Sequence, residues 1–256
     1  MLTPGLVSVT FRPLSPAEII ALVVRSGLKA IEWGGDIHVP ADGSGTAAEV
    51  GRMTRDAGLL VSSYGSYYRV GEGQPFEPVL AAAVALGAPA IRVWSGAISS
   101  AEATEADRER VAADYRRIAA LAAAQGLVVA NEFHDHTLTD DAPTTLAMFD
   151  RVGPAAPNLR SYWQPRHGQP VEVGLGEIAA LSGSGRLANI HAFHWWPSPS
   201  ERHPLAAGRD RWLAFLRRIA GVPGDRFVLL EFTVGDAPES FLADAVVLRE
   251  LLAEVG

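Results

Sequence analysis

Four polar side chains stand at matching places in the second half of the chain. Glu132 ends the apolar run Leu127–Glu132, Gln164 follows Leu159–Trp163, His191 lies in Asn189–His194, and Glu231 falls near the end of Phe227–Phe232. Two carboxylates, an imidazole and an amide oxygen form a mixed oxygen and nitrogen donor set. Such a set suits one divalent ion, Mn²⁺, Mg²⁺, Co²⁺ or Zn²⁺, without choosing among them. A lone glutamate at the end of a strand is more often a surface or ion-paired residue. Four such residues on consecutive runs reverse that weighting, because neighbouring parallel strands lie about 4.8 Å apart and their side chains can converge on one point.

The elements that must position them alternate strand with helix. Short apolar and β-branched runs recur at Leu6–Thr10, Ala30–Trp33, Leu60–Tyr64, Ala90–Trp94, Leu127–Glu132, Leu159–Trp163, Asn189–His194 and Phe227–Phe232. Helical patterns lie between most of them. PAEIIALVVRSG stops at Gly27 and EPVLAAAVALGA at Gly87. ADRERVAADYRRIAALAAAQG opens with Asp107 and Glu109 and stops at Gly126, as capping and the helix dipole favour. TTLAMFDRVG is a shorter helix, and PESFLADAVVLRELLAEVG closes the chain. Eight such units in 256 residues predict α/β architecture: a single (β/α)8 TIM barrel spanning residues 1–256, with a parallel eight-stranded core.

In such a barrel, chemistry belongs at the C-terminal ends of the strands. All seven histidines except His203, and five of the six tryptophans, lie there. This clustering predicts one polar, aromatic-lined pocket for a small molecule. Candidate substrate contacts are His167, Trp33, Asp36, His38, Tyr64, Trp94, His194 and Arg202, the last in a loop able to close over the pocket. Arg92, between Ile91 and Val93, is expected to be buried and paired with a carboxylate, Glu32 being nearest by strand order.

Composition removes other chemistries. The net charge of −7 opposes binding to nucleic acid. With no cysteine there is no disulfide, thiolate nucleophile or Cys-ligated zinc. Lys29 is the only lysine, so a Schiff base would have to form there, at the end of a helix. No apolar run approaches the length of a membrane span, and no basic segment precedes an apolar one at the N-terminus. The expectation is a cytoplasmic protein whose partner is a small molecule rather than nucleic acid or membrane, with a homo-oligomer left open.

These residues resemble the xylose isomerase-like barrel superfamily, the sugar and sugar-phosphate isomerases and epimerases related to endonuclease IV. Members carry a Glu on strand 5, Asp-x-x-His on strand 6, a His in a His-x-x-Asp-like run on strand 7 and a Glu on strand 8. The corresponding residues here are Glu132, Gln164-Pro-Arg-His167, His191-Ala-Phe-His194 and Glu231, and the run Ile-Glu-Trp-Gly-Gly-Asp-x-His at 31–38 is also similar. Two departures stand out. Gln164 replaces the usual metal-binding Asp, and His194 replaces an acid. Only one of His191 and His194 can face inward on a regular strand, and His191 is preferred.

The resemblance implies a metal-dependent sugar isomerase or epimerase. Glu132 and Glu231 would exchange protons with the carbons beside a carbonyl, and the ion would stabilise the enediolate. His167 would bind a hydroxyl or the enediolate oxygen. A dehydratase or lyase using the same chemistry, and a sugar-binding barrel without catalysis, are the alternatives. An endonuclease fits poorly, since the family's nucleases need further His and Asp ligands. The last two units carry no Gly-rich phosphate cradle, which favours an unphosphorylated polyol.

Overall fold

Local signals delimit each unit. Ser15 Oγ accepts from Glu18 N while the Glu18 carboxylate accepts from Ser15 N, and Gly27 closes that helix in the left-handed conformation at φ 76°. Thr104 with Asp107, and Asp141 with Thr144, form the same reciprocal cap. The computed structural model describes residues 1–256. Its helices are α1 (Pro16–Ser26), α2 (Thr46–Asp56), α3 (Glu77–Leu86), α4 (Glu105–Ala123), α5 (Ala142–Val152), α6 (Val171–Gly183), α7 (Arg209–Ala220) and α8 (Pro238–Val255). Its strands are β1 (Leu2–Val7), β2 (Ala30–Gly34), β3 (Leu60–Val70), β4 (Ala90–Ser95), β5 (Val128–Asn131), β6 (Leu159–Trp163), β7 (Leu187–Ala192), β8 (His194–Trp195), β9 (Arg202–His203) and β10 (Arg226–Leu230).

Strands β1 to β7 and β10 run parallel and close a barrel in the order β1-β10-β7-β6-β5-β4-β3-β2. With eight helices between and after them, this is a (β/α)8 TIM barrel. Strands β8 and β9 form a separate antiparallel pair in the loop after β7. Successive side chains on each barrel strand face opposite compartments. Trp33, Tyr64, Ile91, Trp163 and Ile190 face outward into the large core between sheet and helices. Val7, Ala130, Tyr162 and Leu229 form a small cluster inside the barrel.

Three strands differ most from the sequence expectation; β3 runs on to Val70 instead of ending at Tyr64, through a break in its register with β4. β1 starts earlier and ends at Val7, followed by a 3-10 turn over Ser8–Phe11. Pro4-Gly5 reads as a turn in isolation. In the barrel, Gly5 is needed for close packing, since a Cβ there would lie 2.6 Å from the Ala30 carbonyl oxygen. Ser8 then leaves the ladder, its hydroxyl accepting from Gly34 N and bonding His38 Nδ1. β7 ends at Ala192 rather than His194, because the Phe193 carbonyl turns outward to accept from Trp212 Nε1 of α7. No helix is long and apolar enough to cross a membrane.

One buried acid makes stability depend on pH. Asp244 on α8 accepts from Leu205 N at 2.8 Å. Burial pushes its carboxyl up to about 6, and the Leu205 hydrogen bond offsets only part of that. Above this value the folded state holds a charge that the unfolded chain solvates better, so stability falls as pH rises from the unfolded carboxyl value through about 6. Asp244→Asn should therefore raise the melting temperature at pH 8 by about 2–4 °C, discounting for partial solvation. The gain should shrink towards pH 4, as thermal unfolding at the two pH values will show.

Candidate active site

The alternation that fills the barrel also builds the site. Counting by twos along the strands places Glu32 on β2, Ser63 on β3, Arg92 and Trp94 on β4, Tyr162 and Gln164 at the end of β6, and Asn189 and His191 on β7 on the inward side. Glu132 and Glu231 each extend an inward row, two residues beyond Ala130 and Leu229. The ladder continues past the strands to hold them: Glu132 N donates to Val93 O at 3.0 Å, and Glu231 N to Ala192 O at 3.1 Å.

Ligand atoms of Glu132, His191 and Glu231 all lie within 4.8 Å of one another, and all three residues are buried. His191 Nδ1 is 3.3 Å from Glu132 Oε1 and 3.4 Å from Glu231 Oε2. Gln164 Oε1 stands 3.0 Å from the same nitrogen, while Gln164 Nε2 donates to Phe133 O at 2.9 Å. The amide is thus oriented with its oxygen towards the cluster. Two carboxylates, one imidazole and one amide oxygen about a single point fit a divalent cation by donor type and spacing.

Behind this cluster, Arg92 bridges two acids. Its Nε donates to Glu32 Oε1 at 2.7 Å and its Nη1 to Glu132 Oε2. Trp94 Nε1 also donates to Glu132 Oε2, at 2.7 Å. The two glutamates of the cluster are therefore unequal. Burial would raise Glu132, but Arg92 and then His191 outweigh it and hold the carboxyl down at about 2. For Glu231, burial raises the carboxyl, His191 opposes this, and the negative Glu132 adds to the rise. His191 is held up at about 10 despite burial, by Glu231 and Glu32.

Above the cluster opens a cavity of about 700 Å³ at the C-terminal ends of the strands. Trp94, Gln164, His167, Glu132 and Glu231 line it, together with Arg12, Tyr67, Arg92, His134, Phe193, Trp195 and Phe232. His167 stacks on Trp195 with ring centroids 5.0 Å apart and planes 7° apart. Burial depresses its pKa, and its Nε2 has no partner. Tyr67 and Phe232 line the cavity with left-handed backbone, φ 58° and 46°. Tyr67 sits where the β3–β4 register shifts, and Phe232 is fixed by Thr10 Oγ1 on its N–H and Trp195 Nε1 on its carbonyl. Strain at such positions persists only where the surroundings enforce it.

The remaining candidates lie elsewhere. Trp33 and Tyr64 face outward on their strands; Trp33 Nε1 donates to Thr54 Oγ1 at 3.1 Å and Tyr64 OH to Val39 O at 2.9 Å. His38 is buried against Ser8. His194 left the barrel with the hairpin and pairs across it with His203. Arg202 stands behind the cavity wall: its guanidinium lies 4.5 Å from the Trp195 ring centre and pairs with Asp236 at 3.0 Å. Asp36 accepts from Arg12, which does line the cavity. Arg12 was not singled out from sequence, whereas Tyr67 and His134 stand among the aromatic residues and histidines that the reading of strand ends collects. Inward alternation signals Arg92 and Trp94, but no periodicity reaches residues in loops and bulges.

A family model for the xylose isomerase-like TIM barrel matches residues 20–251. The chain belongs to this family. No curated protein matches the chain. Among solved structures, this xylose isomerase-like barrel is similar to the probable 3-DHS dehydratase AsbF from Bacillus anthracis, with 20% identity and a TM-score of 0.78 over 97% of this chain and 99% of that one. An L-ribulose 3-epimerase matches with 17% identity and a TM-score of 0.75, over 100% and 96% of the two chains. D-allulose 3-epimerase from Methylomonas sp. matches with 15% identity and a TM-score of 0.73, over 97% of each. At such identities these likenesses concern the fold.

Proposed function

We propose that the protein is a metal-dependent enzyme that moves a proton at a carbon beside a carbonyl, isomerising or epimerising a small ketose, aldose or polyol-derived sugar. The observation that carries this reading is the convergence of Glu132, His191 and Glu231, of which the two glutamates line the cavity and the buried histidine lies between them. These three would hold the ion, with the Gln164 oxygen beside them. A bound divalent cation supplies Lewis acidity, which lowers the cost of negative charge on a carbonyl oxygen. Glu231, the acid raised by burial, takes the proton from carbon; in an isomerisation it delivers it to the neighbouring carbon, whereas inversion of a centre needs a second group on the opposite face to deliver it. Glu132, pinned by Arg92 and Trp94, keeps its charge and its orientation. Trp94 and Tyr67 give the cavity aromatic surface for the apolar side of a sugar, and His167 lines it with them.

The inequality of the two glutamates favours a second reading. Epimerisation by two opposed bases asks for two carboxylates of similar strength. One base with one neutral acid suffices for isomerisation within a single face, or for loss of water. A dehydratase on the same scaffold, as the name of the Bacillus anthracis protein indicates for that chain, is the alternative.

A panel of ketoses and aldoses in deuterated water, with Mn²⁺ and Mg²⁺ in turn, separates these readings. Interconversion of isomers or epimers, with deuterium entering at the exchanged carbon, is the expected result. Release of water from a hydroxylated carbonyl compound would move the assignment to a dehydratase. Saturable binding of sugar and metal without turnover of any panel member would leave a sugar-binding barrel.

A further inference from the structure

Glu32 occupies the far side of His191 from the cluster. It is fully buried, and both of its oxygens are engaged. Oε1 accepts from Arg92 Nε at 2.7 Å; Oε2 accepts from Ser63 Oγ at 2.7 Å and Tyr162 OH at 2.8 Å. Asn189 Nδ2 in turn donates to Tyr162 OH at 3.1 Å. The backbone leaves room for this group: a Cβ at Gly65 would lie 2.8 Å from Arg92 Nη2 and 3.1 Å from Glu32 Oε1. His191 Nε2 lies 3.5 Å from Glu32 Oε1 and has no hydrogen-bond partner, whereas Nδ1 faces Gln164, Glu132 and Glu231.

A buried ion pair is weak ground for stability, since apolar residues of similar volume often serve as well. The elaborate bonding of Glu32 therefore calls for another role. A histidine that gives one ring nitrogen to a metal commonly carries its proton on the other, fixed by a carboxylate or carbonyl. Glu32 is the acid within reach of that second nitrogen. Charge leads to the same residue. With a neutral imidazole, Glu32, Glu132 and Glu231 against Arg92 leave two negative charges in the buried cluster, which a divalent cation cancels. A further carboxylate at position 164 would leave a third; the neutral Gln164 keeps the count closed.

We propose that Glu32 is a positioning residue of the metal centre: it fixes the His191 proton on Nε2, turns the Nδ1 lone pair towards the ion, and supplies from behind the imidazole a negative charge that Gln164 does not. This rests on the metal-centre reading above.

The test is Mn²⁺ affinity, read by electron paramagnetic resonance of the free ion, beside thermal unfolding of each metal-free variant. Glu32→Gln should weaken Mn²⁺ binding by about 10–100-fold, the usual cost of losing a carboxylate behind a ligating histidine. Glu32→Asp, which keeps the charge, should recover part of the loss. Tyr162→Phe leaves the Glu32–Arg92 pair whole and removes the bond to Oε2 together with the one from Asn189; it should lower the unfolding temperature modestly and weaken Mn²⁺ binding several-fold in the folded protein. Should Glu32→Gln fail to fold, Tyr162→Phe decides, because a purely structural Glu32 would leave its Mn²⁺ affinity at the wild-type value. Wild-type affinity in both variants overturns the role of Glu32 and leaves the metal centre standing. Absence of Mn²⁺ binding by the wild-type protein overturns both.

Discussion

Glu231→Gln should reduce turnover by about 10³-fold or more while substrate still binds within a few-fold of wild type. The loss corresponds to about 4 kcal/mol of transition-state stabilisation, within the range for removing a positioned general base. A glutamine keeps an oxygen in place for the ion and nearly the same volume, but it accepts no proton from carbon. The choice of Glu231 over Glu132 follows from their surroundings. Glu132 is held at about 2 by Arg92 and His191 and receives the Trp94 N–H as well. A carboxylate so well satisfied makes a weak base. Glu231 is raised instead, and it lines the cavity. The companion Glu132→Gln should act mainly on metal affinity. The measurement is steady-state kinetics on the substrate found in the sugar panel, with exchange of the labelled carbon-bound hydrogen as a second readout. Turnover within tenfold of wild type in Glu231→Gln would leave Glu231 a ligand only and return the base to Glu132 or His167.

The fold was legible because its signals are local and repeated. Capping residues and glycine stops mark α1, α3, α4 and α5 in the sequence itself, and the apolar runs between them give the strands. The site was partly legible for the same reason. Glu132, Gln164, His191 and Glu231 sit one after another at the ends of β5, β6, β7 and β10, so a reading of strand ends collects them. It also collected Trp33 and Tyr64, which are one step out of phase. Residue type could not expose that error, because a tryptophan suits an apolar core and a sugar pocket equally. Parity along β2 and β3 would have: the inward neighbours Glu32 and Ser63 bond each other inside the barrel. Arg12 and Tyr67 were out of reach by any period. Arg12 follows a 3-10 turn, and Tyr67 lies in a break of register with φ 58°, where strand alternation no longer says which way a side chain points. Arg202 was found for its position after β7, yet it supports Trp195 from behind rather than meeting the cavity.

Parity also decides between the two histidines of the seventh unit, and that makes the second large effect. His191→Ala should weaken binding of a divalent ion by about 100-fold or more, about 3 kcal/mol. His194→Ala should stay within about twofold of wild type, as expected for a change remote from the ion. The two residues are three apart, so a regular strand would send them to opposite faces. The strand is not regular beyond Ala192. Phe193 turns its carbonyl to Trp212, and His194 begins the hairpin, where it packs against Gly208 and faces His203. His191 stays on the barrel axis with no exposure, and its Nδ1 is within 3.4 Å of both glutamates. Removing it takes away the only nitrogen donor among three buried acids and one arginine. The remaining oxygens could still attract a cation by charge alone, which would favour hard ions such as Mg²⁺ over Zn²⁺. Calorimetric titration of both variants with Mn²⁺ and Zn²⁺ therefore tests more than affinity. Zn²⁺ should suffer more than Mn²⁺ in His191→Ala, because imidazole nitrogen contributes most to the ion that prefers nitrogen. Equal binding in His191→Ala, His194→Ala and the wild type would remove the imidazole from the centre and, with it, the argument that the inward row of these strands was laid down to hold a metal.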